Sequence, residues 1–317
     1  MNDLIIVTLI TSGIFYGTPL IIAGIGELLN ERGGVLNLSV EGNMLMGAAT
    51  AFWVSQSIVD APDGFVLGIA FLTAAVVGSL ISLVLAVAAI TMRANQVVVG
   101  LALLVLCGPL GLSNYVGVIG NLSSKTGIHR LPKLNVFGLA DLPILGPILF
   151  SHDIMVYLSW GLVIVTGLYL NKTRLGLHLR AVGDDPAAAD AMGVPVVKYR
   201  YAHTIIGGAL SGTAGAYYSL AIAPNWTNNL TAGAGWIAIA IVILAFWRPF
   251  FVMIAAYLFG IATSLGFTLQ ALGYQLPAEL FTSMPYVFTV IAVALASSSL
   301  FQIKVNGPVS LGRPFIR

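Results

Sequence analysis

Asn37, Ser39, Glu41 and Asn43 fall at every second position in a stretch that runs into an apolar segment. Amide, hydroxyl and carboxylate groups in that pattern could bind a polar solute and pass it on. They follow a Gly33–Gly34 break, with Glu27, Glu31 and Arg32 before it, in GELLNERGGVLNLSVEGNMLMG from Gly26 to Gly47. Polar groups entering a membrane are costly and face a cavity or a partner. Two readings stand side by side. Asn37, Ser39 and Glu41 line the inner part of a pathway, or the stretch is an interfacial turn tied by local hydrogen bonds and a Glu–Arg pair. Asn95 and Gln96 open a later apolar run and are further path candidates, as is Gln270 at the close of another. Single polar residues at such ends are more often interfacial.

Catalytic patterns are missing. The sequence has no GxxxxGK[ST] phosphate loop, so it does not hydrolyse ATP by that route. His129, His152, His178 and His203 are scattered without HExxH spacing, and no GxSxG elbow occurs. One cysteine, Cys107, excludes an internal disulfide and a multi-cysteine metal site.

A second kind of chemistry, recognition of another protein, is legible in the polar insert Thr173–Arg200, TRLGLHLRAVGDDPAAADAMGVPVVKYR. Asp185 can cap a helix by accepting from free backbone N–H groups. Pro186 suits the first helical position. Ala187, Ala188, Ala189 and Ala191 favour helix. Gly193 can close it with a left-handed residue, and Pro195 prevents resumption. The pattern predicts a helix of about two turns, Pro186 to Met192, with a small surface. Such an element can enter a groove on a partner; a solvated loop is the plain alternative.

These residues have to be held by a membrane scaffold. Of the 317 residues, 58% are hydrophobic and only 8% are charged, against about 25% charged in an ordinary soluble domain. A span needs about 20 apolar residues. Nine candidates lie near 4–25, 38–55, 65–91, 95–119, 153–170, 201–223, 233–247, 250–270 and 282–301. The apolar runs are continuous rather than alternating, which argues for helices over a barrel. The expected architecture is an all-α polytopic membrane protein, a single domain over 1–317. The seventh span is short, and short or Gly-interrupted spans mark broken helices near a transport path. The N-terminus lacks the basic region of a signal peptide and carries Asp3, so the first span is retained.

Nine spans put the termini on opposite sides. With the N-terminus outside, the inner segments hold Arg32, Arg93, Lys172, Arg174, Arg180, Lys198, Arg200, Arg248, Lys304, Arg313 and Arg317; the outer ones hold Lys125, Arg130 and Lys133. That division of the 14 cations follows the positive-inside rule, and the reverse orientation violates it. The insert at about 173–200 is then cytoplasmic and the longest outer segment, about 120–151, faces out. In the sixth span, GGALSGTAGA spaces Gly208 and Gly212, and likewise Ser211 and Gly215, four apart; this suits close helix packing in lipid more than solute contact.

GELLNERGGVLNLSVEGNMLMGA, NQVVVGLAL, DLPILGPILFSHD, TRLGLHLRAVGDDPAAADAMGV and the tail GPVSLGRPFIR, taken in order, resemble the permease subunits of bacterial ABC importers for simple sugars and nucleosides. That group is related to the ribose and branched-chain amino-acid permeases. The likeness runs from the first span to the C-terminus and is strongest to nucleoside-type permeases. It implies the type II importer permease fold, with about nine transmembrane helices, in a bacterial cytoplasmic (inner) membrane. It implies a second homologous permease chain forming a heterodimer, an ABC ATPase with two cassettes and an extracytoplasmic substrate-binding lipoprotein. ATP and Mg belong to that ATPase; this chain holds no cofactor or metal, and nothing suggests nucleic acid. The family's coupling helix maps onto Gly183 to Val194, including Asp184, Asp185, Pro186, Ala187, Ala188, Ala191, Met192 and Gly193. Two departures stand out. Related sugar permeases carry one more N-terminal span, and many relatives have Glu-Asn where this chain has Asp184–Asp185. Nucleosides are the first expectation for substrate, then simple sugars, then amino acids. A stand-alone transporter or channel is the competing class, and the lack of a charged residue near the middle of any span argues against ion coupling.

Overall fold

The helix Val40–Ser57 (α2) occupies the centre of the molecule, and every residue from Val40 to Phe52 is buried. Its length permits a span, but it is not among the helices apolar enough to be picked out by hydropathy alone. Protein rather than lipid surrounds it. Small residues, Gly42, Gly47, Ala48, Ala49 and Ala51, let its neighbours come close. The computed structural model describes residues 2–271, 283, 287, 290 and 307–316.

Among the described residues six long apolar stretches are each able to cross a membrane by length and composition: Ile5–Arg32, Asp63–Thr91, Gln96–Ile119, Ile154–Lys172, Val196–Ile222 and Pro249–Gln270. The first lies in α1, Asn2–Arg32. The second is α3, Asp63–Ala86, which ends in a π turn at Val87–Thr91. The third is two helices, α4 (Gln96–Cys107) and α5 (Leu112–Ile119), separated by Gly108–Gly111. The last three are α6 (Ile154–Lys172), α9 (Val196–Tyr217, with a π turn after it) and α11 (Pro249–Ala271). The protein is therefore a multi-pass membrane protein. A two-stranded antiparallel sheet, β1 (Lys133–Asn135) with β2 (Ser151–Asp153), pairs Leu134 with His152. Two short helices, α7 (Arg174–Asp184) and α8 (Pro186–Ala191), follow α6.

Close backbone approach holds the centre together. A Cβ on Gly208 would strike the Gly78 carbonyl and Ser82, and one on Gly212 the Ala74 carbonyl, so α9 lies directly on α3. A Cβ on Gly215 would overlap the Met44 carbonyl of α2. Ser211 donates to the Gly207 carbonyl within α9 at 2.9 Å. With lipid tails as apolar as leucine, such packing supplies the association that water would otherwise drive.

The basic residues separate along the bundle. Arg32, Arg180 and Arg248 share one cavity wall; Arg93 and Lys198 share another beside α8; Arg200 reaches the Arg313 carbonyl. At the opposite end His129 joins the α2–α3 loop, bonding Asp63 at 2.7 Å and the Ile58 carbonyl at 2.8 Å. Thr126 pairs with Asn225 there.

Two expected spans differ in form. The run 95–119 is broken in its middle. The run 233–247 shrinks to α10, Ala234–Leu244, of 11 residues. At 1.5 Å per residue that is about 16 Å, roughly half of a 30 Å hydrocarbon layer. Of the expected span 282–301 only residues 283, 287 and 290 are described, so the span as a whole lies outside the described residues, as do Lys304 and Arg317.

Candidate functional site

α10 begins inside the bundle. The preceding chain leaves the end marked by Asn225 and Thr126 and reaches Glu41, on the first turn of α2, before helix starts. Its own N-cap, Gly233, provides no side chain and sits at φ 84°. The helix's free N–H groups are met instead from α2: Glu41 accepts from Gly233 N at 2.9 Å and Gly235 N at 2.6 Å, and from the Thr231 hydroxyl at 2.5 Å. A carboxylate at a helix N-terminus satisfies orphan donors and complements the macrodipole. Gly235 has to be glycine, because a Cβ there would lie 2.5 Å from the Glu41 Cα. Asn229 and Ala232 also adopt positive φ, 64° and 45°. Left-handed backbone at a non-glycine residue is held only by its surroundings and collects at functional sites.

Opposite this half-helix is the break between α4 and α5. Gly111 packs so tightly on the Leu106 carbonyl that no side chain fits. Ser113 donates to the freed Gly108 carbonyl at 2.8 Å. The two interruptions face one cavity of about 400 Å³, lined by Glu41, Leu104, Val105, Pro109, Leu110, Asn229, Ala232, Gly233 and Trp236. Its walls are mostly apolar, with one exposed amide at Asn229 and an indole at Trp236. Non-helical backbone at membrane depth is tolerated where it lines a cavity, and discontinuous helices mark solute sites in transporters.

Of the residues singled out for a pathway, Glu41 lines this cavity. Asn37 and Ser39 are fully buried in the turn: Asn37 Oδ1 accepts from the Ser39 N–H at 2.9 Å and its hydroxyl at 2.6 Å. Gln96 Oε1 accepts from Leu36 N at 2.7 Å, and Asn95 caps α4 by accepting from Val97 N and Val98 N. Buried Asn30 extends the same network, donating to Glu27 at 3.3 Å and accepting from Thr204 at 2.9 Å. Glu31 does not pair with Arg32; Trp247 Nε1 donates to it, while Arg32 donates to the Trp247 carbonyl at 3.0 Å. These groups fix the turn between α1, α4, α9 and the end of α10. Gln270 is the penultimate residue of α11.

Asn229, Trp236, Pro109 and Leu110 escaped the reading of the sequence. The GPLG interruption of an apolar run, and the Asn-Asn-Leu-Thr-Ala-Gly stretch before α10, were the available signals.

The second site is α8. Asp185 Oδ1 accepts from Ala187 N at 3.1 Å and Ala188 N at 3.0 Å; Gly193 adopts φ 82°, and Val194 N returns to the Ala189 carbonyl at 3.0 Å. Ala189 is buried against Val182, Val194 and Val196. Asp184, Asp185, Ala187, Ala188, Ala191 and Met192 are exposed, Met192 to 84%. Gly183 is buried against the Arg32 carbonyl. The tail clamps this unit: Ser310 N donates to the Gly183 carbonyl at 2.9 Å, and buried Arg200 donates to Ser310 Oγ at 3.2 Å and the Arg313 carbonyl at 3.1 Å. Among the described residues no three His, Cys, Asp or Glu side chains gather as a metal site would require.

The sequence pattern of the family described as branched-chain amino acid transport system/permease component matches residues 9–295. The chain belongs to this permease family. The permease is 35% identical to a putative glucose ABC transporter permease of Haloferax volcanii, over 95% of this chain and 94% of that one. It is 32% identical to a nucleoside ABC transporter permease of Lactococcus lactis subsp. cremoris, over 94% and 95%. It is also 32% identical to a guanosine ABC transporter permease of Bacillus subtilis, over 98% and 96%. Each of the last two organisms has a second matching permease of the same description, so these relatives come in pairs. No solved structure matches.

Proposed function

We propose that this permease forms half of the translocation path of an ATP-driven importer, with nucleosides as its substrate. The observation that carries the reading is the cavity at the start of α10, where two helix breaks, an exposed amide and an indole meet. A flat, partly apolar base carrying a hydroxylated sugar suits apolar walls with few polar groups. The nucleoside and guanosine permeases among the relatives support that substrate.

In this reading the basic end is cytoplasmic, in a bacterial inner membrane, by the positive-inside bias. The exposed Ala187–Ala188–Ala191 face of α8 enters a groove of a double-cassette ATPase, which uses ATP and Mg. A second permease chain completes the path, and a substrate-binding lipoprotein docks at the end carrying 120–151. A simple sugar is the second reading, favoured by the 35% identity to the glucose permease.

The test is uptake into vesicles holding both permeases, the ATPase and the binding protein, with labelled guanosine, uridine and glucose. Nucleosides should be taken up with ATP and should compete with one another. Uptake of glucose alone would replace the nucleoside by a sugar. Uptake without the ATPase would make the chain a stand-alone transporter.

A further inference from the structure

A cavity of about 1200 Å³ lies between α6, α7, the start of α11 and residues 307–309, away from the α10 site. Three arginines from three different elements line it: Arg32 ends α1, Arg180 is on α7 and Arg248 precedes α11. Asp184 is the one acidic residue among the described residues of the wall. Arg180 Nε is buried and without a hydrogen-bond partner among the described residues. Arg248 is exposed, with its guanidinium over the Phe251 ring at 5.8 Å. The first turn of α11 opens on the same space, and the leading N–H groups of a helix have no partners within it.

The rest of the wall is of another kind. Ile164 and Leu168 of α6 and Phe250 of α11 line the cavity and are 62%, 54% and 59% exposed. They belong to stretches that cross the membrane. The arginines sit where α1 and α6 end and α11 begins, so they mark the boundary between hydrocarbon and headgroups. A cationic floor at that level, beneath an apolar wall continuing into the hydrocarbon, matches an amphiphile with an anionic head. Guanidinium groups bind phosphate through paired N–H donors, and basic pockets between transmembrane helices take lipid head groups.

We propose that this cavity binds an anionic phospholipid, its phosphodiester on Arg180 and Arg248 and its acyl chains along Ile164, Leu168 and Phe250. Arg32 contributes charge from behind, while its Nη2 holds the Trp247 carbonyl. The lipid then bridges α7, which leads directly into α8, to α11. The assignment needs only the membrane embedding and stands whichever leaflet the basic end faces.

Thermal melting of the purified, delipidated complex in neutral detergent, with lipid added back, tests this. Phosphatidylglycerol should raise the melting temperature because it binds only the folded state. Phosphatidylcholine should do so much less, and inorganic phosphate at millimolar concentration should neither reproduce nor reverse the shift. Arg180→Gln with Arg248→Gln should weaken the phosphatidylglycerol response about tenfold in concentration, the scale expected for lost charge-assisted hydrogen bonds. Leu168→Trp, which keeps every charge and fills the apolar wall, should weaken it as well. Melting of each variant without lipid identifies misfolding. If both variants fold and respond like the parent, the cavity is not the site. Equal responses to both lipids would remove headgroup recognition, and displacement by phosphate would make the ligand a free anion.

Discussion

Glu41 on α2 closes the N-terminus of α10, accepting the Gly233 and Gly235 N–H groups at 2.9 and 2.6 Å across more than 190 residues of sequence. The bond joins the central helix to the half-helix at the cavity. It also explains how a helix of 11 residues can begin within the membrane region. Its first donors are satisfied by a carboxylate from another element, where water is not at hand.

Glu41→Ala leaves two backbone donors and the Thr231 hydroxyl unmatched. Each unsatisfied buried group costs about 1–3 kcal/mol, so the melting temperature of the detergent-solubilised protein should fall markedly. Glu41→Gln keeps an acceptor oxygen and should lose much less. Equal melting of the alanine variant and the parent would mean the cap adds nothing.

Trp236→Ala should raise KM for nucleoside uptake at unchanged assembly, and Trp236→Phe should restore most of the affinity, since a ring face suffices for stacking. Asn229→Ala should act in the same direction through the lost amide. Kinetics of ATP-driven uptake in vesicles measure this; unaltered KM in both alanine variants would move the path away from the cavity.

Ala188→Arg places a long charged side chain on the exposed face of α8 and should abolish transport while the permease pair still assembles. Asp185→Ala removes the cap at Ala187 and Ala188, a loss of about 1 kcal/mol, and should weaken the stimulation of ATP hydrolysis by loaded binding protein. Normal stimulated hydrolysis in Ala188→Arg would take α8 out of the mechanism.

His129 gives a pH dependence. Both ring nitrogens face acceptors, Asp63 and the Ile58 carbonyl, and only the imidazolium donates from both. The hydrogen bond to Asp63 is the main cause of a pKa above the ordinary 6.5. Its contribution to stability is therefore fully present below about pH 6.5 and is lost as pH rises through the higher value of the folded state. Asp63 is 57% exposed, so the effect is small and screened by salt. Melting of the parent should decline relative to His129→Asn as the solution becomes alkaline, and parallel curves would disprove the linkage.

Gly215→Ala should destabilise the bundle by about 1–3 kcal/mol, the range for overpacking, because even a methyl group meets the Met44 carbonyl. Gly161→Ala on α6, where a Cβ meets nothing within 4 Å, is the matched control and should melt like the parent or higher. Since alanine favours helix over glycine, a Gly215→Ala variant that melts as high as Gly161→Ala would show that the Met44 contact is not a packing constraint.

The sequence by itself determined what depends on local chemistry and composition. Continuous apolar runs dictate membrane helices, because every backbone polar group in lipid must be satisfied within its own segment. The caps of α8 were legible because Asp185, Pro186 and Gly193 act within a few residues of themselves. The small-residue spacing on α9 was readable too, though its partners Gly78, Ala74 and Met44 were not. Tertiary structure alone decided the rest. Hydropathy places Glu41 at the edge of a span but says nothing of Thr231, Gly233 and Gly235, whose approach depends on where α10 begins. The same holds for Arg200 with Ser310 and Arg313, and for the three arginines around the cavity between α6, α7 and α11. A capping residue that is neighbour to its helix in sequence announces it; one that arrives from another helix is positioned by packing, which no linear pattern records.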